Sequence, residues 1–340
     1  MSKKKLLVTG GAGFIGGNFV QYMVDKYPDY AIYNFDLLTY AGELTKHKGI
    51  EEKNNYHFVK GDIADREAIM PLFEKEKFDY VVHFAAESHV DRSITSPEVF
   101  IRTNVLGTQV LLDAAKSVNV SNFVHVSTNE VYGELDFDST AFFTEDTPLQ
   151  PNSPYSASKA SSDLLVRAYH ETYGLPVNIT RCSNNYGPYQ FPEKLMPLTI
   201  SRVMNDEKVP IYGDGKNIRD WLHVQDHCSA IDLVLHEGAS GEVYNVGGHN
   251  EKTNLEVVKT IINRLKKSEN LIEFVTDRLG HDKRYAIDPM KLEKLGWAPT
   301  YTFETGMTQT IDWYLDNKKW WEQIISGEYK RYFDKQYSIE

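Results

Sequence analysis

Thr9-Gly10-Gly11-Ala12-Gly13-Phe14-Ile15-Gly16 is the stretch on which the fold turns. An apolar run from Lys5 leads into it, and an amphipathic stretch to Lys26 follows. Glycines at 10, 13 and 16 permit a tight strand-to-helix turn and leave the backbone open to close approach. The spacing predicts a strand over 5–9 and a helix over 13–26. The same rhythm continues outward. Further strands are expected at 31–36, 56–60, 80–84, 123–127 and 177–181, with helices at 66–77, 97–119 and 153–173 between them. Such alternation argues for a parallel sheet with helices on both faces. Runs such as Tyr80-Val81-Val82-His83-Phe84 fit strands buried on both sides.

The strand–turn–helix context gives the glycine pattern a chemical reading. Gly10, Gly13 and Gly16 would admit a pyrophosphate, and the amides of Phe14 and Ile15 at the helix start would meet it. Asp36 stands 20 residues after Gly16, at the end of the second expected strand. A carboxylate there accepts hydrogen bonds from both adenosine ribose hydroxyls and repels a 2′-phosphate, so the expected cofactor is NAD rather than NADP. Asp62-Ile63 follows the third strand and either holds the adenine or forms an ordinary Gly-Asp turn. The fold class expected is α/β: a Rossmann-type doubly wound parallel sheet with a smaller α/β C-terminal substrate domain.

After about Arg181 the rhythm breaks. Pro188, Pro192, Pro197 and Pro210 punctuate the chain, and Gly213-Asp214-Gly215 marks a turn. A helix is expected over 226–236, a strand over 243–246, and short helices beyond, with Trp297, Trp313, Trp320 and Trp321 in packing roles. These features divide the chain into an NAD-binding region, 1–181, and a sugar-nucleotide region, 182–340, with some chain crossing between them. Composition sets the outer limits. The 340 residues are 41% hydrophobic and 25% charged, which fits a folded soluble protein. No apolar run approaches the ~18 residues of a membrane helix, and Leu6–Gly10 is too short for a signal-peptide core, so a cytoplasmic protein without membrane contact is expected. A net charge of −11 repels nucleic acid, and Lys3-Lys4-Lys5 reads as a solvated start. The two cysteines, Cys182 and Cys228, lack metal or disulfide spacing. His89 and Asp91 have no third ligand in view, so no metal is expected.

Tyr155 and Lys159 share one face of the expected 153–173 helix. A nearby ammonium favours the phenolate, so this tyrosine is expected to have a lowered pKa and to take a proton from an alcohol as hydride leaves the same carbon. With the glycine motif and the strand ending at Ser127, the pair becomes specific.

At this point the chain resembles the extended short-chain dehydrogenase/reductases and, among them, the dTDP-glucose 4,6-dehydratases of rhamnose synthesis. The resemblance runs from about Lys5 to about Trp313. It is carried by Asp36-Leu-Leu-Thr-Tyr-Ala-Gly42, Ala85-Ala-Glu-Ser-His-Val-Asp-Arg-Ser-Ile94, Ser127-Thr-Asn-Glu-Val-Tyr-Gly133, Cys182-Ser-Asn-Asn-Tyr-Gly-Pro-Tyr189, Arg219-Asp-Trp-Leu-His-Val224 and Gly280-His-Asp-Lys-Arg-Tyr-Ala-Ile-Asp288. It implies a hydro-lyase that oxidises the hexose at C4, eliminates water across C5 and C6, and returns hydride to C6. Tyr155 would start the reaction, Thr128 would assist near O4, Glu130 would remove the C5 proton, and Lys159 would also hold the nicotinamide ribose. Thr39, Ala85, Ala86, Thr103 and Cys182 would complete the cofactor site. Ser88, Thr128, Asn185, Glu193, Leu195, Arg219, Asn254, Arg278, His281 and Tyr285 would surround the sugar nucleotide. The resemblance also implies a homodimer built on helices of the dinucleotide region.

Elimination needs a carboxylate at C5 and an acid at the C6 oxygen. Neighbours on a strand face opposite ways, so both reach one sugar only where the strand has ended. The family pattern is Ser-Thr-Asp-Glu-Val-Tyr-Gly, and this chain has Asn129 at the acid position. An amide can hydrogen-bond the C6 hydroxyl but cannot donate a proton as an acid. Water or Glu130 supplies the proton, the substitution is introduced, or dehydration is lost and binding kept; the sequence leaves these open. Leu37 and Leu279 replace the family's lysine and proline. A nucleotide-sugar epimerase or decarboxylase would share Tyr155, Lys159 and NAD, but needs no acid–base pair at C5 and C6. A non-catalytic NAD and nucleotide-sugar binder is the reading from another class.

Overall fold

In the computed structural model the structure describes residues 3–277 and 280–325. Six strands arise by residue 182: β1 Lys5–Thr9, β2 Ala31–Asp36, β3 Tyr56–Lys60, β4 Tyr80–His83, β5 Asn122–Thr128 and β6 Val177–Cys182. Short strands follow: β7 Asn184–Tyr186, β8 Val209–Tyr212, β9 Ile218–His223, β10 Val243–Val246, β11 Glu251–Thr253 and β12 Ile272–Val275. The main sheet has seven strands in the order β10-β6-β5-β4-β1-β2-β3, each pairing parallel. The order reverses between β1 and β4, and in open α/β sheets ligands bind at that reversal, beyond the carboxyl ends of the strands.

Each face of the sheet is sealed by helices. The helices Phe14–Lys26 and Val224–Glu237 cover one face, where Phe19, Met23, Ile231 and Leu235 pack with Leu6, Val8 and Val124. The helices Arg66–Glu76, Thr108–Val118 and Pro154–Tyr173 cover the other, with Phe73, Leu111 and Val166 against Leu7, Val81 and Phe123. The helix Val224–Glu237 and strand β10 lie beyond residue 181 yet complete this layer, so the chain crosses back into it. The rest gathers around a separate core of Tyr186, Met196, Ile200, Trp221, Ile261 and Ile311. There β7, β9 and β11 form one small sheet, and β8 pairs with β12.

Two stretches differ from expectation. The helix expected over 97–119 is interrupted: Ile101–Gly107 takes the wider π turn between the α-helical Pro97–Phe100 and Thr108–Val118. The wider turn is held by side chains. Asn104 bonds the Glu87 amide and carbonyl and the Ser158 hydroxyl, and Thr108 bonds the Asn104 carbonyl. Beyond 246 the chain is not only short helices. Phe303–Asp316 runs 14 residues, started by Thr302 accepting from the Thr305 amide, and β11 and β12 are strands.

Candidate active site

The glycine loop leaves β1 with Gly10 at φ +72°, where an added Cβ would lie 2.6 Å from the Ala85 nitrogen. A Cβ on Gly16 would lie 2.3 Å from the Gly10 carbonyl oxygen. Loop, helix and the strand end at Ala85 therefore meet backbone to backbone. No side chain caps Gly13, and no acid stands in the first turn of Phe14–Lys26. The helix dipole and its first amides face the pocket ready for an anion. Asp36 closes the far side: Oδ2 accepts the Ala12 amide at 2.9 Å, and Oδ1 accepts the Leu38 amide at 2.7 Å. Each oxygen keeps a lone pair for a ribose hydroxyl, and the carboxylate would repel a 2′-phosphate. This cradle fits an adenine dinucleotide lacking that phosphate.

One cavity runs from here along the carboxyl ends of the strands. Gly10, Gly13, Phe14, Ile15, Gly16, Asp36, Thr39, Asp62 and Ile63 line one end, and Ala85, Ala86 and Thr103 its middle. Thr128, Asn129, Glu130, Tyr155, Lys159 and Cys182 line the other, with Ser88, Asn185 and Glu193 beyond them. Asp62 both lines the cavity and forms the ordinary turn, accepting the Ala64 amide at 2.8 Å and the Arg102 guanidinium at 2.6 Å.

β5 ends at Thr128, and Asn129–Tyr132 coils into a 3-10 turn, with Thr128 Oγ1 accepting the Glu130 amide at 3.2 Å. This turn releases the adjacent side chains from the strand's alternation, so Thr128, Asn129 and Glu130 all reach the cavity. Asn129 is 1% exposed. Its Oδ1 faces the Thr128 hydroxyl at 3.4 Å, and its Nδ2 has no hydrogen-bond partner among the described residues. Tyr155 sits in the first turn of Pro154–Tyr173, a helix begun by a Ser153–Ser156 capping box with proline at its first position.

The electrostatics correct one expectation. Tyr155 has a pKa well above the ordinary tyrosine value, because burial and the charge of Glu130 outweigh a hydrogen bond from Thr128. The Lys159 ammonium does not offset these effects. Its Nζ donates to the Val126 carbonyl at 2.9 Å and lies 3.4 Å from His125 Nε2. Burial pushes Lys159 down to about 8, against the opposing pull of Asp163. Asp163 is itself held by Arg181 Nε at 2.9 Å. Burial also raises Cys182, at the end of β6, to about 12, so its thiol is inert packing beside the cavity.

The remaining candidates form a second group. Arg219 is buried on β9, donating to the Asp282 and Ile218 carbonyls at 2.8 Å each, with its guanidinium 4.3 Å over the Tyr285 ring. Asn254 opens the helix Asn254–Arg264, and its amide bonds the Asn217 carbonyl. Tyr285 is buried, donates to Asp282, and feels the charge of Glu130, which joins this group to the catalytic end. His281 Nδ1 lies 2.6 Å from Asp277 Oδ1. Leu195 is not part of the cavity wall; it starts the helix Leu195–Met204 and packs into the second core. Arg278 and Leu279 lie outside the described residues.

Sequence reasoning missed three features of the cavity. Tyr40 donates to Glu193 at 3.0 Å and lies under the Arg92 guanidinium at 3.7 Å. Lys46 lines the glycine-loop end. Trp320, assigned only to packing, lines the cavity with Ile324 and donates to Glu43 at 3.0 Å. Tyr40 lay inside a quoted block, but its bond to Glu193 spans 153 residues and that of Trp320 to Glu43 spans 277, which leaves no local pattern.

This geometry has close counterparts. The family described as GDP-mannose 4,6 dehydratase matches residues 7–310. The dTDP-glucose 4,6-dehydratase of Xanthomonas campestris pv. campestris strain B100 is 53% identical over 343 residues, 95% of this chain and 97% of that protein. The dTDP-glucose 4,6-dehydratase of Bacillus anthracis strain Ames, solved in complex with NAD, superposes with a TM-score of 0.88 at 53% identity, covering 94% of this chain and 99% of that one. The enzyme of the same description from Streptomyces venezuelae, solved with NAD and dTDP bound, gives a TM-score of 0.90 at 49% identity, covering 94% and 99%. The likeness thus extends in sequence and in space along nearly the whole chain, cofactor cradle and strand-end turn included, and the chain belongs to the dTDP-glucose 4,6-dehydratase family.

Proposed function

We propose that the chain is an NAD-dependent hydro-lyase that converts dTDP-glucose to dTDP-4-keto-6-deoxyglucose and water. The observation that carries this is the meeting of Tyr155, Thr128 and Glu130 at one end of the cavity whose other end is the glycine–Asp36 cradle. The chemistry NAD supplies when bound is reversible two-electron transfer, out of the sugar at C4 and back at C6.

Tyr155 takes the proton of the C4 hydroxyl, with Thr128 placed to steady O4. A phenol this reluctant to ionise holds its proton in the resting site, so ionisation is coupled to substrate binding and to the positive field of Lys159. The new 4-ketone acidifies C5, and Glu130 removes that proton. Asn129 hydrogen-bonds the C6 hydroxyl without protonating it, so the proton for the departing oxygen comes from water or from Glu130. Gly10, Gly13, Phe14, Ile15, Gly16, Asp36, Thr39, Asp62, Ile63, Ala85, Ala86, Thr103, Lys159 and Cys182 hold the cofactor. Ser88, Asn185, Glu193, Arg219, Asn254, Arg278, His281 and Tyr285 surround the sugar nucleotide, with the arginines matched to its diphosphate. Residues 1–181 serve mainly NAD and 182–340 mainly the sugar nucleotide.

The working unit is a homodimer in the cytoplasm, and its product feeds synthesis of a 6-deoxyhexose such as rhamnose. Ile101 and Leu106 on the π segment and Leu164 on the helix packed against it are exposed apolar side chains suited to a partner copy. No helix among the described residues is long and apolar enough to cross a membrane.

Incubation with NAD and either dTDP-glucose or UDP-glucose, with products read by mass, tests the reaction and the base preference together. Loss of water is expected. An unchanged mass with a changed sugar configuration by NMR would indicate epimerisation, and carbon dioxide lost in a parallel incubation with UDP-glucuronate would indicate decarboxylation. Asn129 favours one other reading, a binder without turnover. NADH absorbance appearing on addition of substrate would exclude it.

A further inference from the structure

We propose that Lys46 is a further cofactor-binding residue: its buried ammonium, set against the glycine loop, is the counter-charge for the diphosphate of the dinucleotide. This rests on the cofactor reading given above and goes beyond it in assigning a cation that the glycine motif does not include.

Lys46 is 2% exposed, and its Nζ donates to the Ala12 and Gly13 carbonyls at 2.7 Å each. It makes no salt bridge among the described residues. The two carboxylates whose charge it feels, Asp36 and Glu43, are already engaged. Asp36 accepts from Ala12 and Leu38, and Glu43 accepts from Thr45 and the Trp320 indole. A buried ammonium without a paired anion is unfavourable unless a ligand completes it. The cavity that Lys46 lines ends at an uncapped helix N-terminus, where an anion is favoured. Of the three lysines lining the cavity, Lys159 and Lys194 stand at its other end, beside Tyr155 and Glu193. Leu37, at the lip, offers no charge.

Gly17 supports the same assignment. It lies inside the helix, outside the 10, 13, 16 pattern, where glycine costs about 1 kcal/mol relative to alanine. A Cβ there would lie 2.4 Å from Lys46 Cδ. The helix gives up a side chain at 17 where the lysine stem passes.

The charge on Lys46 is poised to respond to a ligand. Burial lowers it to about 8, opposed by Asp36 from β2 and Glu43 from its own loop. The adjacent His47 is neutral near pH 7, its pKa lowered to about 4. A diphosphate stabilises the ammonium, so binding draws in a proton above about pH 8, and affinity weakens as pH rises through that value.

The test uses nucleotide-depleted full-length protein, with Lys46→Met and Lys46→Gln alongside, titrated with NAD, ADP-ribose and adenosine. The expected result is a loss of at least roughly tenfold for NAD and ADP-ribose in both variants, with adenosine affinity unchanged. The alkaline weakening of NAD binding should vanish with the lysine. Equal losses for adenosine would assign Lys46 to loop scaffolding and overturn the proposal, as would unchanged NAD affinity. Failure of the unaltered protein to bind NAD at all would instead overturn the cofactor reading beneath it.

Discussion

Asn129 presents a buried amide nitrogen without a partner among the described residues, beside Glu130, where the proposed elimination calls for an acid. Asparagine nearly matches aspartate in shape, so Asn129→Asp should leave dTDP-glucose affinity alone and raise the rate of 4-keto product formation, by up to ~10²–10⁴-fold. Equal rates for the two chains would mean that the proton arrives by another route. Tyr155→Phe should abolish the NADH signal on mixing with substrate, since it removes the proposed base for the C4 hydroxyl. Lys159 sets the alkaline limit. Its ammonium supports the forming phenolate, and with a pKa near 8 the neutral form dominates above that pH. Turnover should therefore fall as pH rises through about 8, and a rate that stays flat well above it would show that the bound complex holds the proton. At this scale the sequence pointed to candidate residues but not to how they are tuned. Spacing placed Tyr155 and Lys159 on one helical face, yet the Val126 carbonyl that takes up the ammonium lies on β5, 33 residues back, beyond any local rule.

The helix Pro154–Tyr173 shows how an element presents chemistry. Ser153 accepts the Ser156 amide at 3.0 Å, Ser156 returns the bond to the Ser153 amide, and Gly174 ends the helix at φ +67°. Ser153→Ala should lower stability by about 1 kcal/mol, near 2–4 °C in thermal melting. Because Tyr155 lies in that first turn, kcat should fall more than KM changes; an altered melt with unaltered kcat would separate cap from catalysis. Elements with strong local signals were legible to within a residue or two, as for β1, β2 and β3, where glycine punctuation and apolar runs agree. The π segment at Ile101–Gly107 was not, because its cause is Asn104 bonding Glu87 and Ser158, partners far along the chain. Of the short strands beyond 182, β10 was legible and β7, β8, β9, β11 and β12 were hidden. β8 carries Pro210 in a two-stranded pair, where proline is tolerated, and β7 and β11 have three residues each.

Across the whole molecule, the exposed apolar side chains include Ile101, 53% exposed, and Leu164, 59%, on the helical face proposed for a dimer contact. Ile101→Glu combined with Leu164→Glu should yield a folded monomer by light scattering, and a persistent dimer would place the interface elsewhere. The cavity itself is a whole-chain construction. Its wall begins at Gly10 and ends at Ile324, and the Trp320–Glu43 bond ties the last described helix to the loop after β2. Every earlier part of the wall therefore leaves the ribosome before the piece that shuts it. A nascent polypeptide can raise its sheet and even offer the glycine turn, yet grip on the dinucleotide tightens only once synthesis has passed Trp320. Retained nucleotide would then mark a finished chain, and polypeptides stopped just short of that tryptophan should come off a desalting column empty.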